Sequence, residues 1–315
     1  GTGRSTMKIR LGTRASLLAR TQSGWVADQL MKCEPGLQIE EVLIETGGDQ
    51  DQETPLHETG APGVFTAEVE RALQDGRVDL AVHSLKDLPI QQPEGLVLAA
   101  IPVREDPRDA WISADYAGVV DMPAGSIVAT GSLRRRSQIL NRYPELVVEG
   151  IRGNIDTRME KYRDRGASGL LLAGAGLSRL GRRTPRRSMG SVTEMTPAPG
   201  QGALALEVRE DDDKVREVVS RLDDSLTRQC VVAERSLLSA LGGGCHLPVG
   251  ALAGVSGGTL SLCGVLGALD GKNLVRLSAE GSVDEPELIG HDLACLIRKS
   301  GGDAILEQLD EGLET

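Results

Sequence analysis

Across its first two-thirds the chain alternates short apolar runs with segments of helical period, and that order restricts the fold more than any other feature. "KIRLGT" is followed by "SLLARTQSGWVADQLMKC", where apolar residues recur near helical spacing behind Ser16, a residue suited to an N-cap. "IEEVLIET" alternates as a strand does, "FTAEVERALQDG" reads as a helix closed by Gly76, and "VDLAVHSL" is a strand running into "KDLP". "GLVLAAIPV" adds a strand, and "REDPRDAWI" reads as a crossing between domains. A second set follows: strand "SIVATGS", helix "LRRRSQILNRY", strand "LVVEGI", helix "NIDTRMEKYRDRG", then strand and turn in "GLLLAGAGL". Strands interleaved with helices specify the α/β class. Hydrophobic residues make up 40% of the chain but aromatics only 2%, so Leu, Val, Ile and Ala must fill the core, which suits strands covered by helices.

At 315 residues the chain exceeds the size at which single cores stop growing, which predicts two or three domains. The Pro-rich "TPAPGQG" leads into "ALALEVR", a strand with no place in the second set and free to return to the first. From about Ser225 a helix, "TRQCVVAERSLLSALGGG", precedes three short strands, "GALAGV", "LSLCGVLG" and "NLVRLSAEG", and a closing helix from Pro286 to Lys299. This tail reads as a small α+β domain.

Several classes are set aside. No run of 18 apolar residues exists and the N-terminal residues lack the apolar stretch of a signal peptide, so the expectation is a cytoplasmic protein with no membrane partner. The six residues before Met7 read as an upstream extension and stay outside the fold reading. Five cysteines without a CxxC pair and four scattered histidines offer no zinc spacing, so no metal is expected. Most of the thiols are expected to be inert core residues. "LAGAGLSRLG" does not fit GxGxxG, and no Walker motif is present.

Net charge is −11, yet residues 134 to 187 hold 14 Arg or Lys against 5 Asp or Glu, a local excess of +9. In "TGSLRRRSQ", Ser132 reads as an N-cap, placing Arg134, Arg135 and Arg136 in the first helical turn. Cations there oppose the helix dipole, costing roughly 0.3–1 kcal/mol each at exposed sites. A bound anion would reverse that cost. "IRGNIDTR" repeats the arrangement, with Arg152 before a cap at Asn154 and Arg158 one turn in. A single arginine of this kind reads equally as a solvated residue or as an anion ligand; two arginine-decorated helix starts after strands mark the edge where open α/β sheets bind ligands. Nucleic acid fits poorly, because two Trp, three Tyr and one Phe leave little to stack on bases.

"AVHSLKDLP" delivers Ser84, Lys86 and Asp87 to the C-terminal end of a strand that Pro89 terminates. Asp87 is either a turn-forming Asx residue or a carboxylate that stabilises a nitrogen-centred cation of a substrate. In "LGGGCHLPVG" three glycines permit positive φ and bring Cys245 onto backbone that a large group can approach. Such backbone leaves the thiol accessible as a nucleophile or attachment point, but taken alone Cys245 reads as inert rather than reactive, and a dyad with adjacent His246 is disfavoured by sequence adjacency.

Together "LGTRASLLARTQ", "AVHSLKDLP", "REDPRDA", "GSLRRRSQ", "RGNIDTR", "AGLSRLG", "PGQGALALEVR" and "AERSLLSALGGGCHLPVG" resemble the porphobilinogen deaminase family, in family order from about Met7 to the C-terminal domain. The resemblance implies two periplasmic-binding-protein-like α/β domains plus a small C-terminal α+β domain. Domain 1 would comprise residues 7–102 and 203–220, domain 2 residues 106–198 and domain 3 residues 225–315. It implies a transferase of tetrapyrrole biosynthesis that deaminates four porphobilinogen molecules and joins them head to tail into hydroxymethylbilane, working as a monomer. Cys245 would carry a covalent dipyrromethane cofactor through a thioether. Arg14, Ser16, Lys86, Ser132, Arg134, Arg135, Arg152 and Arg158 would hold the acetate and propionate groups, and Gln201 would line the same cleft. Asp87, with Lys86 beside it, would be catalytic, binding pyrrole N–H groups and stabilising the charge that develops as ammonia leaves.

Three positions depart from the family pattern. "TGAPGVF" lacks the usual loop lysine and carries Pro62, Gly131 stands where Ser is frequent, and Gly242 replaces a common Glu. The rival reading is a two-lobed small-anion binding protein without catalysis, for which an anchored primer would have no use.

Overall fold

A computed structural model describes residues 6–47, 65–182, 191–244 and 246–313, and the backbone of 186–188. In chain order the elements are β1 (Lys8–Thr13), α1 (Leu17–Cys33), β2 (Gln38–Leu43), α2 (Ala67–Gln74), β3 (Leu80–Ser84), β4 (Leu96–Ala100), β5 (Asp109–Ile112), β6 (Ile127–Ala129) and α3 (Leu133–Arg142). They continue with β7 (Val147–Glu149), α4 (Ile155–Lys161), β8 (Gly169–Ala173), α5 (Gly174–Arg179), β9 (Arg186–Ser188), β10 (Leu204–Arg209), α6 (Asp213–Ser220) and α7 (Ser225–Ala240). The last are β11 (Val249–Ser256), β12 (Thr259–Gly267), β13 (Leu274–Ser282), α8 (Pro286–Ile297) and α9 (Asp303–Leu313).

The described residues divide into two compact units, one holding 6–47, 65–104 and Ala203–Arg228, the other holding those of Glu105–Gly202 and from Gln229 onward. In the first unit the sheet order is β2-β1-β3-β10-β4. β1 runs parallel to β2 and β3, whereas β10 runs antiparallel to both β3 and β4. Val26, Ala27 and Leu30 of α1 and Val215, Val218 and Val219 of α6 pack with Ile9, Leu11, Leu80, Leu204, Leu206 and Val208 of the strands. Val69, Ala72 and Leu73 of α2 pack with Val78, Ala81 and Leu96 in a separate cluster. Each such Val, Leu or Ile contributes roughly 1.5–3 kcal/mol by burial, which lets aliphatics do what aromatics do elsewhere.

The second unit holds a sheet of order β7-β6-β8-β5-β9 and a three-stranded antiparallel sheet β11-β12-β13. β6 is parallel to β7 and β8, and β5 is antiparallel to β8 and β9, the same mix of directions as in the first unit. Trp111 of β5 is 1% exposed and packs with Val128, Ile139, Val148 and Leu171. Its ring lies so close to β8 that a Cβ on Gly169 would stand 1.8 Å from Cη2. The three-stranded sheet is covered by Ala233 and Leu237 of α7, Leu293 and Ile297 of α8 and Ile305 of α9.

Three local readings change. "REDPRDAWI" is not only a crossing, because Asp109–Ile112 forms β5 inside the second sheet. The residues after β8 coil into the short helix α5 rather than a turn. The closing helix ends at Ile297, and after Gly301, whose φ of 111° breaks the run, the chain resumes as α9. The thiols also differ from expectation: Cys230 is buried and Cys263 half-buried, but Cys33 and Cys295 are exposed. Among the described residues no helix is long and apolar enough to cross a membrane, and no group of metal-binding side chains occurs.

Candidate active site

Parallel strands put their C-terminal ends on one edge, and in the first unit that edge carries a pocket. β1 ends at Thr13, followed by Arg14 and Ser16; β3 ends at Ser84 and tightens into a 3-10 turn over Leu85–Asp87. Arg14, Ser16, Gln22, Phe65, Thr66, His83, Ser84 and Asp87 all line the pocket. Ser16 is the N-cap read from sequence, its Oγ accepting from Ala19 N at 3.3 Å. The Arg14 guanidinium lies over the ring of Phe65, 4.2 Å from its centroid, a cation–π contact by the chain's only Phe that fixes the charge at the pocket wall. Gln22 Nε2 donates to Ser84 Oγ at 3.2 Å. Asp87 is half-buried within the lining, and Lys86 on the same turn is exposed. The pocket therefore offers a carboxylate, a guanidinium, amide and hydroxyl groups within one concave surface.

The second unit places its cations on the corresponding edge. Ser132 caps α3, accepting from Arg135 N at 3.2 Å, and Asn154 caps α4, accepting from Thr157 N at 2.8 Å. The two helix starts are neighbours, since a Cβ on Gly131 would stand 3.1 Å from the Ile151 carbonyl oxygen. Arg152 precedes α4 and Arg158 lies within it, and both are half-buried.

Arg134 and Arg135, expected to hold carboxylate arms, already have an anion within the fold. Both are buried at 5% exposure, and the anion beside them is Asp109 at the start of β5. Arg134 Nη1 donates to Asp109 Oδ2 at 2.8 Å, and Arg135 Nη2 to Asp109 Oδ1 at 2.9 Å. Burial pushes the Asp109 carboxyl up, but the two guanidinium charges overcome it and hold the group far below the ordinary carboxylate range. Two cations against one anion leave the cluster with a single positive charge. Gln201, with no exposed surface, donates from Nε2 to Asp109 Oδ1 at 2.9 Å and to the Pro107 carbonyl at 2.7 Å. It is thus brought together with Arg134 and Arg135 rather than left at a surface.

Asp109 and Glu234 were missed from sequence. Glu234 of α7 is fully buried, and its carboxylate accepts from Gly200 N at 2.8 Å and Ala253 N at 2.9 Å, fastening the loop that carries Gln201. The available signal was a charged residue in an otherwise apolar stretch, "DAWI" for the one and "VVAERSLL" for the other. Cys245 lies outside the described residues, as does the "TGAPGV" segment with Pro62. The backbone leading to Cys245 is described: Gly242, Gly243 and Gly244 have φ of 111°, 60° and 121°, a run open to glycine and strained for other residues.

Residues 9–217 match the family described as porphobilinogen deaminase, dipyromethane cofactor binding domain, and residues 228–299 match the porphobilinogen deaminase C-terminal domain. Porphobilinogen deaminase of Syntrophotalea carbinolica is 42% identical over 97% of this chain and 97% of its own length. That of Syntrophobacter fumaroxidans is 43% identical over 96% of this chain and 97% of its own. Among solved structures the methionine-binding protein MetQ is similar at a TM-score of 0.43, with 13% identity over 68% of this chain and 89% of that one. With both family domains matched in order along one chain, and relatives of equal length above 40% identity, this chain belongs to the porphobilinogen deaminase family.

Proposed function

We propose that this chain, a transferase, joins four porphobilinogen molecules head to tail into hydroxymethylbilane as a cytoplasmic monomer, on a dipyrromethane primer tethered to Cys245. The observation that carries the reading is the pocket at the end of β3, where Asp87 and Arg14 share one lining. A pyrrole unit with acetate and propionate arms needs cations and hydroxyls for the arms and an anion for the ring N–H. The residues present suit both demands, and the three glycines before Cys245 keep Cβ groups away from the tether. When bound, the dipyrromethane supplies the nucleophilic pyrrole carbon from which the chain grows.

The chain's own residues do the rest. Asp87 accepts a hydrogen bond from the ring N–H of the incoming unit and faces the positive charge left when the C–N bond of its protonated aminomethyl group breaks and the electron pair departs with nitrogen as ammonia. A preorganised carboxylate aimed at developing charge is a large catalytic effect. Arg14, Ser16 and Lys86 hold carboxylate arms on the first unit; Ser132, Arg152 and Arg158 do so on the second. Arg134 and Arg135 contribute the residual positive charge of the Asp109 cluster, with Gln201 keeping that cluster in shape. The match of nearly the whole chain to porphobilinogen deaminases supports this reading over a passive anion binder.

Intact-protein mass spectrometry tests the proposal. Active enzyme is expected to be heavier than its sequence by two porphobilinogen-derived rings, and Cys245→Ser to lack that increment along with activity. A bare chain mass in an active preparation overturns it.

A further inference from the structure

Three ionisable side chains that this chemistry does not call on lie against the Asp87 pocket. Glu207 of β10 has no exposed surface, Glu70 of α2 keeps 4% and His83 of β3 keeps 5%. His83 Nε2 is 3.0 Å from Glu207 Oε1, and Gln92 Nε2 donates to Glu207 Oε2 at 2.9 Å. Glu70 stands on α2 with its Oε2 buried and without a hydrogen-bond partner among the described residues, and the Glu207 carboxylate acts electrostatically on it. Thr66 and His83 line the pocket itself, and Gln92 sits five residues beyond Asp87 on the segment leaving that turn. β10 shifts register between Leu206 and Glu207, an irregularity of the kind that re-aims a strand side chain. The cluster therefore ties α2, β3, β10 and the Asp87 segment together at one point.

The distribution of protons follows from the count of donors. Two buried carboxyls that interact cannot both be ionised, so one must keep its proton. Glu207 is the anion, because Gln92 Nε2 donates to its Oε2 whereas no donor among the described residues reaches Glu70 Oε2. Glu70 is the acid, because its Oε2 is buried with no hydrogen-bond partner, where a negative charge would go unsolvated. Burial first, and then the interaction with Glu207, push Glu70 up to about 8. Burial also acts to raise Glu207, but His83 and the other donors prevail and hold it below its ordinary value. The His83 nitrogen facing Glu207 consequently carries a hydrogen.

Other charges near α2 are engaged elsewhere. Arg10 of β1 and Arg209 of β10 both bond Asp79, Lys8 of β1 pairs with Glu40, and β4 contributes no charged side chain. On α2 itself Glu68 accepts from Gly47 N, and Arg71 and Asp75 stand on the following turn.

We propose that Glu70, Glu207 and His83 form a proton-sharing chain, neutral acid to carboxylate to imidazole N–H, that positions His83 and the Asp87-bearing segment, and that loss of the Glu70 proton disrupts it. Glu70 and Glu207 are positioning residues that act through His83 and Gln92. That the pocket is where turnover occurs rests on the proposed function; the existence of the shared proton does not.

Infrared difference spectroscopy of the purified holoenzyme during an alkaline titration, set beside the pH profile of ammonia release, tests both halves. The wild type is expected to show the carbonyl stretch of a neutral carboxylic acid, lost with a midpoint near 8, and Glu70→Gln to lack that band. Ammonia release by the wild type should fall about tenfold per pH unit above the midpoint, whereas Glu70→Gln, which cannot ionise there, should keep a flatter alkaline limb. Should Glu70→Gln fail to fold, Gln92→Leu serves instead: with one donor to Glu207 removed, the midpoint of the band moves upward. A band that survives in Glu70→Gln, a midpoint unmoved in Gln92→Leu, or identical alkaline limbs overturns the proposal. The infrared result is independent of whether Cys245 carries the primer, so the two readings fail separately.

Discussion

Asp109 grips Arg134 through both carboxylate oxygens, Nη1 to Oδ2 at 2.8 Å and Nη2 to Oδ1 at 3.2 Å, with no side-chain surface of the aspartate exposed. Arg135 shares the same carboxylate. The first turn of α3 thus has an anion supplied by β5, and the pairing locks α3 to β5.

Removing that carboxylate should leave two buried guanidinium groups without a counter-charge. Asp109→Ala is expected to lose about 3–5 kcal/mol of stability, the usual cost of breaking a buried pair from one side. Urea unfolding of the purified variant measures it. Arg134→Lys should recover only part, since an ammonium cannot form the two-pronged contact.

Acid should act on the same group. Because Asp109 is held below its unfolded value, near 3.9 for a free aspartate, its contribution is fully present above that value and disappears as pH falls through the depressed folded value. The urea midpoint of the wild type should therefore drop below a pH of about 4, and the corresponding slope should be shallower in Asp109→Asn.

Glu70 should act with the opposite sign. Its folded value is raised, so its stabilising contribution is complete below the unfolded value, near 4.3, and is lost as pH climbs to about 8. Glu70→Gln is expected to flatten the decline in urea midpoint across that interval, a comparison that needs no turnover.

Asp87→Asn should separate holding from reacting. The amide keeps the shape of the pocket and leaves the arginines in place, so the primer mass is expected to persist while ammonia release falls by about 10²- to 10³-fold, the range for deleting one stabilising group. Equal rates in mutant and wild type would exclude the role given to Asp87.

Gly169→Ala tests the packing around the one fully buried Trp. A Cβ there meets Cη2 of Trp111 at 1.8 Å, with β5 and β8 held in register by their hydrogen bonds. Overpacking of this kind costs about 1–3 kcal/mol or more, read as a lowered melting temperature.

Local signals carried well from sequence to structure. Ser16, Ser132 and Asn154 are caps because a short side-chain oxygen before a helix can reach the third amide beyond it, a relation contained within four residues. Asp87 was legible because strand, turn and Pro89 are contiguous. Asp109, Glu207 and Glu70 were not, since each matters only through a partner far along the chain: Arg134 is 25 residues from Asp109, and His83 is 124 from Glu207. Periodicity marks a residue as lying on a strand; it does not say which strand lies opposite.

The position of β10 between β3 and β4 has a consequence for biosynthesis. A ribosome that has released everything through Arg104 has delivered four strands of the first sheet but not the one that must lie between the last two. Roughly a hundred further residues emerge before that gap can be filled, so the nascent N-terminal third waits with open edges on β3 and β4, and premature termination in this interval should yield aggregating fragments rather than a smaller folded protein.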